Sequence, residues 1–319
     1  MAAVAAVVRP SGAAAYLEGV ESRITALHAA ESERWAAVDQ RLEAAVQALA
    51  RMTRSGGKRL RALFAYWAFT GAGGDPDSQQ IIDAAAALEL IHLAALIHDD
   101  VMDASTLRRG LPTLQVTFAE LHGRRIWPGD AMQFGTSVAV LLGDPALFQA
   151  DCVLANMPPE AHHIAAGLKL EMAMGQYLDL RASAAAEADA ETALRVALYK
   201  TARYSVERPL HLGASLAGRL GELAEGLSAY GVPLGIAFQL ADDLLGAFGD
   251  PAETGKTVGD DARQGKPTLL LATGDRCEVE HTVDGLVAES VRAAARCGLG
   301  SEAKAALVEL AGFVRTRCS

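Results

Sequence analysis

Apolar and polar residues alternate along most of the chain with the period of an α-helix, and few stretches carry the period-two alternation of a strand. The pattern is broken at Ser55-Gly56-Gly57, Gly71 to Pro76, Gly110 to Pro112, Pro128-Gly129, Pro158-Pro159, Gly231, and Gly249 to Gly259, which leaves helix-length segments between. Asp77 or Ser78 is placed to cap the helix that enters Ile81, and Asp189 the helix that carries Tyr199-Lys200-Thr201. Arg181 to Ala190 reads as a polar link. No internal repeat and no sharp boundary interrupts the series. The expectation is all-α: a single helical bundle over residues 16–319, after a flexible lead-in over 1–15.

One helix is unusual. Ile81 to Ile97 is almost wholly apolar, so it must be buried, yet it runs directly into His98-Asp99-Asp100-Val101-Met102-Asp103. At about 3.6 residues per turn, Asp99 and Asp103 share a face while Asp100 points roughly 100° away. Carboxylates at a helix C-terminus oppose the macrodipole and repel one another. They destabilise a plain solvated helix end, but they suit a cation. A second acidic pair lies in Phe238-Gln239-Leu240-Ala241-Asp242-Asp243-Leu244-Leu245, again on an apolar helix. Oxygen-only ligands of this kind favour magnesium, whose coordination is usually completed by water and substrate phosphates.

Basic residues cluster near the breaks: Lys58, Arg59 and Arg61 after Gly56-Gly57, Arg108-Arg109 after the first acids, and Lys256 and Lys266 after the second. Arginine forks and lysine point charges would hold diphosphates around a metal cluster. Arg59 alone reads as solubilising surface charge. No P-loop is complete, so an ATPase is excluded.

Composition narrows the picture further. The 319 residues carry 29 basic and 39 acidic side chains, a net charge of −10, which argues against a nucleic-acid partner. The four cysteines lack zinc-ligand spacing and read as reduced thiols of a cytoplasmic protein. No run of about 18 residues is free of charged or polar positions, so no membrane span is expected.

In order, GGKRLR, HDDVMD with TLRRG, GQYLDL, YKT, FQLADDLL, and TGKTVGDD with a following GK resemble the trans-isoprenyl diphosphate synthases, the polyprenyl synthetase family. The resemblance spans about Gly56 to Lys266. It implies the isoprenoid synthase fold, helices around a deep central cavity, and a homodimer. It implies that Asp99, Asp103 and Asp242, with Asp100 and Asp243 beside them, bind magnesium or, alternatively, manganese. Lys200, Lys256, Lys266 and Arg108, with Thr201 and Gln239, would hold an allylic diphosphate. Lys58, Arg61, His92 and Arg109 would hold isopentenyl diphosphate.

Three positions depart from the family pattern: Gly246 replaces the last acid of the second DDxxD motif, Ala62 a common proline and Gln115 a common histidine. Gly246 leaves a loose match to the second metal motif of class I terpene cyclases, and a catalytically silent subunit of a heteromeric synthase is a further reading. The retained Lys58, Arg61, His92 and Arg109 favour chain elongation over cyclisation, and the intact first motif argues against a silent subunit. Small residues at Ala94 and Ala95, with Ile91 one turn further on, predict a long pocket and geranylgeranyl diphosphate as product, longer chains being the alternative.

Overall fold

The computed structural model describes residues 12–187, 189–249 and 265–316. The long helices are α1 (Ala14–Val38), α2 (Gln40–Arg54), α3 (Leu60–Gly71), α4 (Gln79–Met102), α5 (Leu114–Arg124), α6 (Ala131–Leu154) and α7 (Pro159–Ala185). After α8 (Ala190–Val196) the chain widens into a π-helix over Ala197–Glu207, then continues as α9 (Arg208–Leu216) and α10 (Leu220–Phe248). α11 (Leu269–Thr273), α12 (Arg276–Arg296) and α13 (Ser301–Arg315) complete the described part. Lys256, with the break that ends at Gly259, lies outside the described residues.

α4 is the central rod. Its residues from Ala84 to Ile91 are all buried, because α1, α3 and α6 pack around it. Ser78 caps its start by accepting from the Gln80 amide, and Asp189 caps α8 by accepting from that of Thr192, as the sequence predicts. Two expectations are corrected. α7 runs on to Ala185, so the polar link shrinks to the few residues before α8. Gly231 does not end a helix: α10 passes through it, because a Cβ there would lie 3.0 Å from the Glu207 Cα. Three helices, Gln79–Met102, Ala131–Leu154 and Leu220–Phe248, are long and apolar enough to cross a membrane by length and composition. In the first of these, 67% of the apolar window is buried inside the protein, so its apolarity serves the core.

The only ladder among the described residues is a hairpin, Leu107–Arg108 antiparallel to Leu111–Pro112. Its two turn residues, Arg109 and Gly110, both have positive φ, 54° and 74°, as a tight I′ turn requires. A non-glycine residue such as Arg109 is strained there.

The π-helix is held from two sides by glycines. A Cβ at Gly175 of α7 would lie 2.3 Å from the Lys200 amide nitrogen, and one at Gly235 of α10 would lie 2.3 Å from the Ala202 Cα. Backbone touches backbone at both places, which fixes the height of the side chains the π-helix presents. Gly175→Ala and Gly235→Ala should therefore each lower stability by about 1–3 kcal/mol through overpacking, read as a shift of the urea midpoint at constant slope. An unchanged midpoint in both would refute the close approach.

Candidate active site

The last turn of α4 carries its three carboxylates to different partners. Asp100 has a side chain only 1% exposed, and Arg108 from the hairpin donates to its Oδ1 from Nε at 2.8 Å and Nη2 at 2.6 Å. The same Nη2 reaches Asp99 Oδ2 at 3.2 Å. Asp103, the C-cap of α4, accepts from Lys266 Nζ at 2.5 Å. Lys200 Nζ lies 3.4 Å from Asp99 Oδ1 and donates to Asp179 Oδ2 at 2.5 Å. Burial pulls the Lys200 pKa down, but Asp99 and Asp179 more than offset it and hold the ammonium well above its ordinary range. Lys266 is likewise raised, burial and Lys200 opposing the larger pull of Asp103 and Asp99.

The structure thus brings Asp99, Asp100, Asp103, Arg108, Lys200 and Lys266 into one cluster. Of the second acidic pair, Asp243 accepts at Oδ1 from Gln239 Nε2 at 2.7 Å, and Gln239 Oε1 in turn accepts from the Thr201 hydroxyl. Thr201 follows Lys200 on the π-helix, so the two arrangements share an element. Among the described residues no group of three His, Cys, Asp or Glu side chains stands close enough to hold a metal ion. The donor chemistry nevertheless suits a hard cation: carboxylate oxygens at Asp99 and Asp103 already accept two ammonium groups, so positive charge is stable there.

A separate pocket is basic. His92, on the same face of α4 as Asp99, has Nδ1 2.9 Å from the Tyr204 hydroxyl. Arg61 stacks on the Tyr204 ring at 4.3 Å and donates to Ser205 Oγ at 2.7 Å. Lys58 lies over the Phe313 ring at 4.4 Å, and Arg109 Nη1 is 3.5 Å from Ser55 Oγ. Burial, then Arg61 and Arg109, holds the His92 pKa well below its ordinary value, so the ring is neutral amid arginines. Burial also pushes the Tyr204 hydroxyl up to about 12 against the pull of Arg61. Crowded like charges of this kind accept an anion.

Arg59 is the clearest correction. Its side chain is 10% exposed and bonded to Glu21 and Glu89, so it is not surface charge. Ala94 also differs from expectation. It is fully buried in a cluster with residues of α2, α5 and α6, among them Leu49, Phe118 and Leu142, whereas Ala95 is half-buried on the face shared with His92, Leu96 and Asp99. Ile91 is fully buried in the larger core cluster.

Sequence reasoning gave no role to Asp179, Gln176, Tyr204, Ser205, Glu89 or Gln115. Asp179 and Gln176 sit one turn apart in GQYLDL, so their signal was visible in a quoted motif. Gln176 Nε2 reaches Asp99 Oδ1 at 3.4 Å. Gln115, at the position of a family histidine, donates to the carbonyls of Asp100 at 2.8 Å and Ser105 at 2.7 Å and so ties α4 to the hairpin.

The chain is similar to known proteins in sequence and fold. The family model described as Polyprenyl synthetase matches residues 42–290. Geranylgeranyl diphosphate synthase of Mycobacterium tuberculosis is 34% identical over 272 residues, 83% of this chain and 72% of that protein. Nonaprenyl diphosphate synthase of the same organism is 34% identical over 223 residues, 70% of this chain, and the match spans only 61% of that relative's length. The geranylgeranyl pyrophosphate synthase of Corynebacterium glutamicum, solved in complex with isoprenyl diphosphate and magnesium, matches with a TM-score of 0.88 at 36% identity, over 95% of this chain and 98% of that one. A polyprenyl synthase from Caulobacter crescentus CB15, complexed with calcium and isoprenyl diphosphate, gives 0.79 at 29% identity, over 96% of each chain.

Helix α4 with its acidic end, packed among α1, α3 and α6, defines an all-α isoprenoid synthase fold. Within that class the chain belongs to the polyprenyl synthetase family, the trans-isoprenyl diphosphate synthases.

Proposed function

We propose that the protein condenses isopentenyl diphosphate with an allylic diphosphate, head-to-tail and with trans geometry, to give a linear prenyl diphosphate. One observation carries this reading: Asp99 and His92 occupy one face of α4, seven residues or about 10 Å apart, the first among acids and lysines, the second among arginines. Two diphosphates would fit side by side. A cyclase has no use for the second, basic pocket.

Asp99, Asp103, Asp242 and Asp243 would hold magnesium or manganese, and Asp100 would orient Arg108. Bound there, the ions would supply the charge that lets the allylic diphosphate depart. Lys200, Lys266 and Arg108 stand ready to exchange a carboxylate for a phosphate oxygen, steadied by Thr201 and Gln239; Lys256 completes this group in the reading. Lys58, Arg61, Arg109 and neutral His92 would fix isopentenyl diphosphate so that its double bond faces the departing group. The released diphosphate can take the proton lost after attack, so no side-chain base is needed. Apolar residues such as Ala95 and Leu96 would keep water from the cation. The reading extends to a cytoplasmic homodimer with geranylgeranyl diphosphate as product.

Incubation with labelled isopentenyl diphosphate and each allylic primer tests the reaction itself. Asp103→Ala should slow turnover roughly a thousandfold, a loss of about 4 kcal/mol in transition-state stabilisation. Elongation that persists in chelator, or a cyclic hydrocarbon product, would overturn the proposal.

The half-buried position of Ala95 makes it the better test of product length. Ala95→Phe should shift the product from geranylgeranyl toward farnesyl diphosphate, while Ala94→Phe should mainly cost about 1–3 kcal/mol of stability by overpacking against α6. A product distribution unchanged by Ala95→Phe would remove this face of α4 from the pocket wall.

Val140, Leu141 and Phe148 stand exposed on α6, an apolar row suited to a second copy of the chain. Sedimentation should show a dimer, and Phe148→Arg should shift it toward monomer. A wild-type monomer at micromolar concentration would refute the assembly.

A further inference from the structure

Arg59 donates from all three guanidinium nitrogens, one to each of three helices. Nε donates to Glu21 Oε1 of α1 at 2.6 Å, Nη1 to Glu89 Oε2 of α4 at 2.7 Å, and Nη2 to the Thr53 carbonyl of α2 at 3.1 Å. The residue itself begins α3 from a left-handed conformation, φ 51°. Lys58 precedes it, Arg61 follows two residues later, and Gly57 beside it is flanked by guanidiniums: a Cβ there would lie 3.3 Å from Arg109 Nη2 and 3.5 Å from Arg59 Nη1. Glu89 is 4% exposed, and its Oε1 has no hydrogen-bond partner. Burial, Arg59 and Arg108 depress the Arg109 pKa, and Glu89 is the group that lifts it. A buried carboxylate with half its acceptors unused is costly unless it compensates nearby charge.

We infer that Arg59 and Glu89 form a positioning pair for the basic pocket. The pair pins the Gly56-Gly57-Lys58 loop to α1, α2 and α4, and its negative member lets Arg61, Arg109 and His92 stay packed together before an anion arrives. Neither residue need touch substrate. The inference rests on the reading of that pocket as the isopentenyl diphosphate site.

The test must separate position from charge. Arg59→Lys keeps the charge but loses the planar fork that spans three helices. Glu89→Gln keeps the shape, and the loss of a negative neighbour would by itself tighten anion binding. Calorimetric titration of the full chain with inorganic pyrophosphate in chelator removes metal-bridged binding at Asp99 and Asp103, and a Lys200→Ala background removes a cation of the acidic cluster, so that the remaining binding reads the basic pocket. Arg59→Lys should weaken pyrophosphate binding roughly tenfold and Glu89→Gln about threefold, and both should raise KM for isopentenyl diphosphate while kcat and the allylic KM stay within about twofold. Unchanged or tighter pyrophosphate binding in both variants, or an equal rise in both KM values, would overturn the pair's role. If the wild type binds pyrophosphate but does not elongate, the proposed reaction falls, and the titration still decides the pair.

Discussion

The structure is organised around a charge problem. A buried apolar helix cannot end in three carboxylates unless cations are brought to them, because like charges and the helix dipole act in the same unfavourable direction. Arg108, Lys200 and Lys266 supply that charge from a hairpin, a π-helix and the segment before α11. Elements far apart in sequence are thereby committed to one end of α4. The cations that make this end stable are also those a diphosphate would recruit.

That commitment depends on spacing that only close backbone contact can set. Lys200 reaches Asp99 and Asp179 because α7 approaches the π-helix at Gly175, with α10 close on another side at Gly235. The wider turn of a π-helix is uncommon and is often found at functional sites. Here it carries Lys200, Thr201, Tyr204 and Ser205, which serve the acidic cluster, the second acidic pair and the basic pocket in turn. Geometry in the acidic cluster and among the basic residues is therefore coupled through one short element.

The basic pocket is strained in its own way. Arg109 sits at positive φ in a hairpin turn, and Arg59 at positive φ ahead of α3. Backbone strain at two arginines facing one space is tolerable only where surrounding contacts over-determine both. Glu89 and Glu21 hold Arg59, and Gln115 holds the chain that leads into the hairpin of Arg109. Gln115 donates to the carbonyls of Asp100 and Ser105, so this departure from the family's common histidine is compatible with an intact hairpin.

Much of this protein was legible before folding. Helical periodicity, the caps at Ser78 and Asp189, and the spacing of Asp99, Asp103 and His92 are local properties, set by residues within a few turns of each other. The ordered motifs pointed to the family for the same reason. Burial and partnership are not local. Nothing near Arg59 in sequence reveals Glu21 and Glu89, which arrive from other helices, and so a buried anchor looked like surface charge. Ala94 and Ala95 are indistinguishable as letters, yet α6 covers one and leaves the other half-buried. Gly231 read as a break because glycine is usually a turn residue, whereas here the missing Cβ admits the Glu207 backbone. The sequence by itself determined which chemical groups the protein carries and how they repeat along each helix. The tertiary structure alone decided which of them face one another, because that choice is made by contacts between segments distant in the chain.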